Sequence, residues 1–124
     1  MLRKFMLRKR RGRIVNISSV VGSTGNPGQA PYTMVKAGLD ALTKTLAKEV
    51  AGTGILVNSV APGFVDTAMT DELTPEIRER VLAMVPLGRI GRPEEIADVV
   101  SFLATRGSYV HGTVLHVNGG MYGG

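Results

Sequence analysis

Tyr32 and Lys36 stand four residues apart in Tyr32-Thr33-Met34-Val35-Lys36, and Ser19 precedes the tyrosine by thirteen. On a helix that spacing puts the two side chains on one face, about 5–6 Å apart at Cβ. An ammonium held so close favours the phenolate and draws a tyrosine from its usual pKa of about 10 toward neutrality. A hydroxyl tuned in this way passes a proton to or from a carbonyl oxygen near neutral pH. A serine delivered from a strand end holds that oxygen in place. The three residues together suit carbonyl–alcohol interconversion. Singly they carry little. A tyrosine with a lysine one turn on also reads as a half-buried ring beside a snorkelling cation, and Ser18-Ser19 as a turn cap. Order and spacing give the set its meaning.

The elements that must position these residues follow from local pattern. Residues 2–11 read as the last turns of a helix stopped at Gly12. Arg13 to Ser18 is a β-branched run, as in a buried parallel strand. Gly22, Gly25, Pro27 and Gly28 mark a loop, and Pro31 opens the next helix, where a missing N–H costs nothing. Val35, Leu39, Leu42, Leu46 and Val50 form one apolar stripe along it, and Gly52 and Gly54 end it. Ile55 to Val60 is a second strand, broken by Ala61-Pro62-Gly63. Thr74-Pro75-Glu76 is a helix start, with cap, N1 proline and an acid in the first turn. Another helix begins near Pro93 and carries Ile96, Val99, Val100 and Leu103 inward. Val114 to Val117 is the third strand, closed by Asn118-Gly119-Gly120. This alternation predicts right-handed crossovers and a parallel α/β sheet. Reactive residues of such sheets gather at the carboxyl ends of the strands. Ser19, Tyr32 and the Pro62-Gly63 turn all fall at or near that edge.

The 124 residues read as a single domain, 1–124, of ordinary globular composition, with 44% hydrophobic and 20% charged residues. Without cysteine the chain holds no disulfide and no thiolate metal site. Two histidines, His111 and His116, are too few for a convincing metal site and read as structural or solvated. No apolar run reaches the ~18–20 residues of a membrane span. The charged start lacks the apolar stretch and cleavage site of a signal peptide, which leaves the cytoplasm as the expected location. Seven of the fifteen basic residues lie in 1–13: Arg3, Lys4, Arg8, Lys9, Arg10, Arg11 and Arg13. The remainder is slightly acidic. Such an arm suits an anionic surface or nucleic acid. It equally suits a basic helix end at 1–13, whose cations complement the helix dipole. Only Phe5 interleaves with the charges, so base stacking has little support, and the helix end is the preferred reading. Met1-Leu2-Arg3-Lys4 recurs as Met6-Leu7-Arg8-Lys9, a local echo rather than a repeat architecture.

These motifs resemble the short-chain dehydrogenase/reductase family, over about residues 6–122. Gly12 to Gly22, Asn58-Ser59-Val60-Ala61-Pro62-Gly63, Pro86-Leu87-Gly88-Arg89 and Leu115 to Tyr122 look most like its 3-oxoacyl-(acyl-carrier-protein) reductases. The resemblance implies the C-terminal half of a Rossmann-type doubly wound parallel sheet, about three strands with flanking helices. It implies reduction of a 3-oxoacyl thioester, or another small carbonyl substrate, with a nicotinamide cofactor, NADP(H) rather than NAD(H). By the same resemblance Tyr32 is the acid/base, and Ser19 holds the substrate carbonyl. Lys36 lowers the tyrosine pKa and hydrogen-bonds the nicotinamide ribose. The Pro62-Gly63-Phe64-Val65 turn packs on the nicotinamide, with the Val65 backbone meeting the carboxamide and Thr67 close by. Residues from about Asp66 to Arg89 form a substrate lid.

Family members are about twice this length, and the half with no counterpart here is the N-terminal one. It carries the glycine-rich turn for pyrophosphate, the residue that selects NAD or NADP, and an asparagine of the proton relay. Gly22-Ser23-Thr24-Gly25 does not replace that turn, since it lacks the strand–Gly-x-Gly-x-x-Gly–helix context. The resemblance leaves one edge of the Ile14–Ser18 strand open, which invites self-association. It also makes the Val35, Leu39, Leu42 and Leu46 stripe a subunit interface. A homo-oligomer is expected. The alternative to a reductase half is an oligomerising scaffold that keeps the core without the catalysis.

Overall fold

Three strands pair in sequence order. In the computed structural model, which describes residues 2–124, β1 (Gly12–Ile17) runs parallel to β2 (Ile55–Pro62), and β2 parallel to β3 (Val114–Val117). The register runs from Gly12 opposite Ile55 to Ile17 opposite Val60, then from Ser59 opposite Val114 to Pro62 opposite Val117. The helices are α1 (Val21–Thr24), α2 (Ala30–Val50), α3 (Ala68–Asp71), α4 (Pro75–Ala83) and α5 (Pro93–Thr105). Helices α2 and α5 both pack on β1 and β2. The expected α/β class and parallel sheet are therefore what the chain adopts. Among the described residues, no helix is long and apolar enough to cross a membrane.

Local chemistry explains most boundaries. Helix α2 begins with Pro31 in its first turn and α5 with Pro93, where no N–H is needed. Thr74 caps α4, its hydroxyl accepting from the Ile77 amide at 3.3 Å. Strand β2 is almost wholly buried, with Ile55, Val57, Val60 and Ala61 at 1% exposure or less. That fits a continuous apolar strand with both faces covered. Ala47 and Val50 of α2 close over Ile55 and Val57, joined by Met6, Leu7, Ile14 and Leu46. Helix α5, which packs on β1 and β2, carries Leu103 at 0% exposure.

Several sequence expectations shift in detail. The left-handed residue after the N-terminal helical segment is Arg10, at φ 49°, rather than Gly12. Its guanidinium bonds the Gly52 carbonyl, and Gly12 and Arg13 are already strand residues. The basic helix end thus stops short of residue 13. Met1 and the side chains of Arg3 and Lys4, which open the Met-Leu-Arg-Lys echo, lie outside the described residues. Strand β2 continues through Pro62, because a proline at a strand's last residue still offers its carbonyl, here to the Val20 amide at 2.8 Å. Val21–Thr24, expected as loop, makes one helical turn, and Ala68–Asp71 makes another.

Helix α2 does not pack on the sheet through the whole of its apolar stripe. Its buried residues are Asp40, Thr43, Ala47 and Val50, whereas Val35 and Leu42 of the apolar stripe are 56% and 52% exposed. Partners on the sheet account for this. Asn16 of β1 donates to the Thr43 hydroxyl at 2.9 Å, and Ser59 of β2 donates to Asp40 at 2.8 Å. Those paired groups can be buried without the penalty of unmet polar atoms.

The two histidines are structural. Nδ1 of His111 accepts from the Val57 amide at 3.1 Å, so Nε2 carries the proton and donates to the Ala47 carbonyl at 2.8 Å. His116 packs edge-on against Tyr122, with ring centroids 4.7 Å apart.

Candidate active site

The carboxyl ends of the three strands bring the site residues together. Ser19 lies two residues beyond β1, Pro62 closes β2, and Asn118 follows β3. Ser19 sits in the turn between β1 and α1, its Oγ accepting from the Val21 amide at 3.4 Å. Tyr32 occupies the first turn of α2 and is 46% exposed. One turn on, the Lys36 ammonium stands 5.5 Å from the centroid of the Tyr32 ring. It also donates to the Ile17 carbonyl at 3.0 Å, so the cation joins the end of β1 to the helix that carries the tyrosine.

Gly22 makes that approach possible. A Cβ there would lie 3.0 Å from the Ala37 nitrogen and 3.0 Å from the Lys36 carbonyl carbon. The turn that follows Ser19 therefore lies directly on the backbone at Lys36. Sequence reading took Gly22 as a loop marker only. Its packing partner is fourteen residues away, and spacing gives no sign of it. The Ile17 carbonyl is equally invisible in sequence, since any residue would supply one.

Across the site, Gly63 passes against Asn118. A Cβ on Gly63 would come within 2.7 Å of the Asn118 Cβ, and the Gly63 amide donates to the Val117 carbonyl at 2.9 Å. Only glycine permits so close a turn. Beyond it, the Gly91 amide donates to the Phe64 carbonyl at 2.9 Å, and the Asp66 amide donates to the Gly91 carbonyl at 2.8 Å. Val65 is thus bridged to Gly91, and in parallel pairing its own amide and carbonyl turn to the opposite side. Thr67 caps α3, exchanging bonds with Thr70 at 2.8 Å in each direction. The seven residues singled out in the sequence fall into two groups: Ser19, Tyr32 and Lys36 at the β1–α2 side, and Pro62, Gly63, Val65 and Thr67 after β2.

Arg89 ties the segment between these groups and the rest of the chain to α5. Its guanidinium grips Glu95 through two parallel bonds, at 2.6 and 2.8 Å, and the Arg92 amide adds a third at 2.8 Å. The side-chain bond from Arg89, the Arg92 amide and the adjacent positive charges hold the Glu95 carboxyl at about 2, well below its usual 4.5. A depressed carboxyl contributes stability above its unfolded value and loses it as pH falls. The stability difference between the wild type and Glu95→Gln is expected to be constant above about pH 4.5 and to shrink from there toward pH 2. Urea titrations of both proteins across that range check it. A difference independent of pH would show that the clamp carries no charge-dependent stability.

The residues present fit one end of a nicotinamide dinucleotide. Among the described residues, the Val65 backbone groups that turn away from Gly91 and the Lys36 ammonium are donors and acceptors of the kind a nicotinamide riboside needs, beside a Tyr32 that is 46% exposed. The chain contains no Gly-x-Gly-x-x-Gly segment to receive the pyrophosphate.

The family model described as Enoyl-(Acyl carrier protein) reductase matches residues 1–122. A 3-oxoacyl-[acyl-carrier-protein] reductase FabG of Aquifex aeolicus is 57% identical over 122 residues, which is 98% of this chain and 49% of the relative. The proteins of the same name from Vibrio cholerae and Haemophilus influenzae are 55% and 57% identical over 118 residues, 94% of this chain and 48% and 49% of theirs. The chain spans about half the length of the curated relatives it matches. By its matched family model, its relatives and its parallel α/β sheet, the chain belongs to the short-chain dehydrogenase/reductase family.

Proposed function

We propose that residues 1–124 form the catalytic and substrate half of a carbonyl reductase acting on 3-oxoacyl thioesters. The observation that carries this reading is the Lys36 ammonium, placed 5.5 Å from the Tyr32 ring and anchored beside Ser19 on the Ile17 carbonyl. Relatives named 3-oxoacyl-[acyl-carrier-protein] reductase support the substrate class. A nicotinamide cofactor, NADP(H) in this reading, supplies a hydride to the carbonyl carbon when bound. Tyr32 gives its hydroxyl proton to the carbonyl oxygen, so that the ketone becomes an alcohol. Ser19 donates a hydrogen bond to the same oxygen and fixes its position. Lys36 stabilises the negative charge that develops on the tyrosine oxygen as the proton leaves. Its remaining N–H groups, with the Val65 backbone and Thr67, orient the nicotinamide riboside against Pro62 and Gly63. Helices α3 and α4, between Asp66 and the Arg89–Glu95 clamp, act as the lid that excludes water. The direct assay is consumption of NADPH with a 3-oxoacyl thioester; no consumption with the cofactor saturating would refute the reading.

A second reading has its own observation. Met34, Val35 and Leu42 leave one face of α2 apolar and 52–70% exposed, a face suited to a second copy of the chain. The assembly is a homo-oligomer in this reading, located in the cytoplasm, and an oligomerising scaffold would use the same face without catalysis. Val35→Lys with Leu42→Lys is expected to convert the assembly to monomer by sedimentation velocity. Their exposure keeps the fold intact. An unchanged sedimentation coefficient would place the interface elsewhere.

A further inference from the structure

Gly91 joins two peptide groups, and every polar atom of both is bonded. On one side lie the neighbours of Val65: the Gly91 amide donates to the Phe64 carbonyl at 2.9 Å, and the Gly91 carbonyl accepts from the Asp66 amide at 2.8 Å. On the other lies the Arg89–Glu95 pair. Arg89 donates to the Ile90 carbonyl at 3.3 Å, and the Arg92 amide donates to Glu95 at 2.8 Å. A single glycine therefore links the ion pair to the backbone that brackets Val65. A Cβ on Gly91 would meet the Phe64 carbonyl oxygen at 3.4 Å, and Glu95 Oε2 and Val65 Cγ2 at 3.9 Å each. The carboxylate and the Val65 side chain thus border the same glycine.

These bonds converge on Glu95. It stands in the first turn of α5 and reaches back to the amide at the helix start. It takes Arg89 through two parallel bonds, at 2.6 and 2.8 Å, and the Arg92 guanidinium stands 3.8 Å away. A single exposed ion pair contributes little, but a two-bond arginine–carboxylate pair with an added backbone donor fixes geometry. Packing does less here. Ile90 is rooted in the core at 9% exposure, whereas a cavity of about 120 Å³, bordered by Phe64, Gly91, Glu95 and Asn118, leaves the glycine unwedged on that side. Hydrogen bonds rather than side-chain packing set the orientation of its peptides.

We infer that Glu95 is a positioning residue for the cofactor: through Gly91 it fixes the Val65 amide and carbonyl that recognise the nicotinamide carboxamide. The inference rests on the nicotinamide site proposed above. A carboxamide presents an N–H donor and a carbonyl acceptor, the complement of the carbonyl and amide that Val65 turns away from Gly91. A 3-acetyl group in its place keeps the acceptor and loses the donor. Preference for the carboxamide therefore measures how well the Val65 backbone is held. Loss of the Glu95 carboxylate releases the Arg92 amide and the Arg89 guanidinium together, and the two peptides of Gly91 are then free to turn. The bond from Lys36 to the Ile17 carbonyl does not pass through this segment, so proton transfer is left alone.

The test competes NADP+ and its 3-acetylpyridine analogue against NADPH fluorescence on the full chain, for wild type, Glu95→Gln and Glu95→Ala. Wild type is expected to prefer the carboxamide about tenfold, the effect of leaving the Val65 carbonyl unpaired. Glu95→Ala is expected to bring the two affinities together, with the loss on the NADP+ side. Glu95→Gln keeps an acceptor for the Arg92 amide and is expected to fall between. Hydrogen exchange supplies a readout that needs no cofactor. The Gly91 and Asp66 amides are expected to exchange about tenfold faster or more in Glu95→Ala, while the Ser18 amide, bonded to Val60, keeps its wild-type rate. A preference that survives in Glu95→Ala, equal weakening of both cofactors, or unchanged exchange at Gly91 and Asp66 would overturn the inference. Wild type that binds neither cofactor would refute the nicotinamide site instead, and exchange would then decide by itself whether Glu95 holds the Val65 backbone.

Discussion

Tyr32→Phe is expected to lower kcat for reduction of a 3-oxoacyl thioester by about 10²–10⁴-fold, the range for loss of a positioned proton donor. The substitution removes one oxygen from a residue that is 46% exposed, so stability should stay within about 0.5 kcal/mol of wild type. Lys36 keeps its bond to the Ile17 carbonyl in the variant, because that bond does not pass through the tyrosine. A fall in kcat with unchanged cofactor affinity therefore isolates proton transfer. Ser19→Ala provides the comparison, expected to reduce kcat through the lost hydrogen bond to the substrate oxygen. Steady-state rates followed by nicotinamide absorbance decide the matter. A Tyr32→Phe protein with wild-type turnover would remove Tyr32 from the chemistry.

The largest expected effect on stability comes from Leu103→Ala. Leu103 is 0% exposed and sits on α5, which packs on both β1 and β2. Truncating a leucine so enclosed costs about 2–5 kcal/mol, from lost burial and the cavity left behind. Against a net stability of about 5–15 kcal/mol for a domain, that is a substantial fraction. Because α5 begins at the Arg89–Glu95 clamp, loosening it should also free the segment from Asp66 to Arg89. Urea unfolding is expected to show a lower midpoint with little change in slope. A loss under about 1 kcal/mol would mean that α5 is held by other contacts.

How much of this was legible beforehand depended on whether a signal was local. Pro31, Pro75 and Pro93 marked three helices correctly, since a proline in the first turn acts through its own backbone. The runs at Ile14, Ile55 and Val114 gave the strands, and their alternation with helices gave a parallel sheet. The polar part of the face that α2 turns to the sheet was not legible. Asp40 and Thr43 are buried because Ser59 and Asn16 await them on the sheet, and no spacing along α2 marks those partners. Pro62 looked like a strand breaker because its missing N–H is local and its useful carbonyl contact is not.

The site divides the same way. The four-residue step from Tyr32 to Lys36 is a property of one helix, so the closeness of ring and cation could be read directly. The Ile17 carbonyl that anchors Lys36, the contact of Gly22 with that backbone and the fit of Gly63 against Asn118 are encounters between distant segments. Residue type hinted at the two glycines and could not name their partners.

The central claim is that Tyr32, Lys36 and the Pro62–Thr67 turn form a nicotinamide-binding redox site. Titration of the chain with NADPH and with NADH, followed by nicotinamide fluorescence and repeated on Lys36→Ala, tests it most directly. The account predicts saturable binding that is lost in Lys36→Ala. No saturation at about 1 mM of either cofactor, or equal affinity in Lys36→Ala, would contradict it.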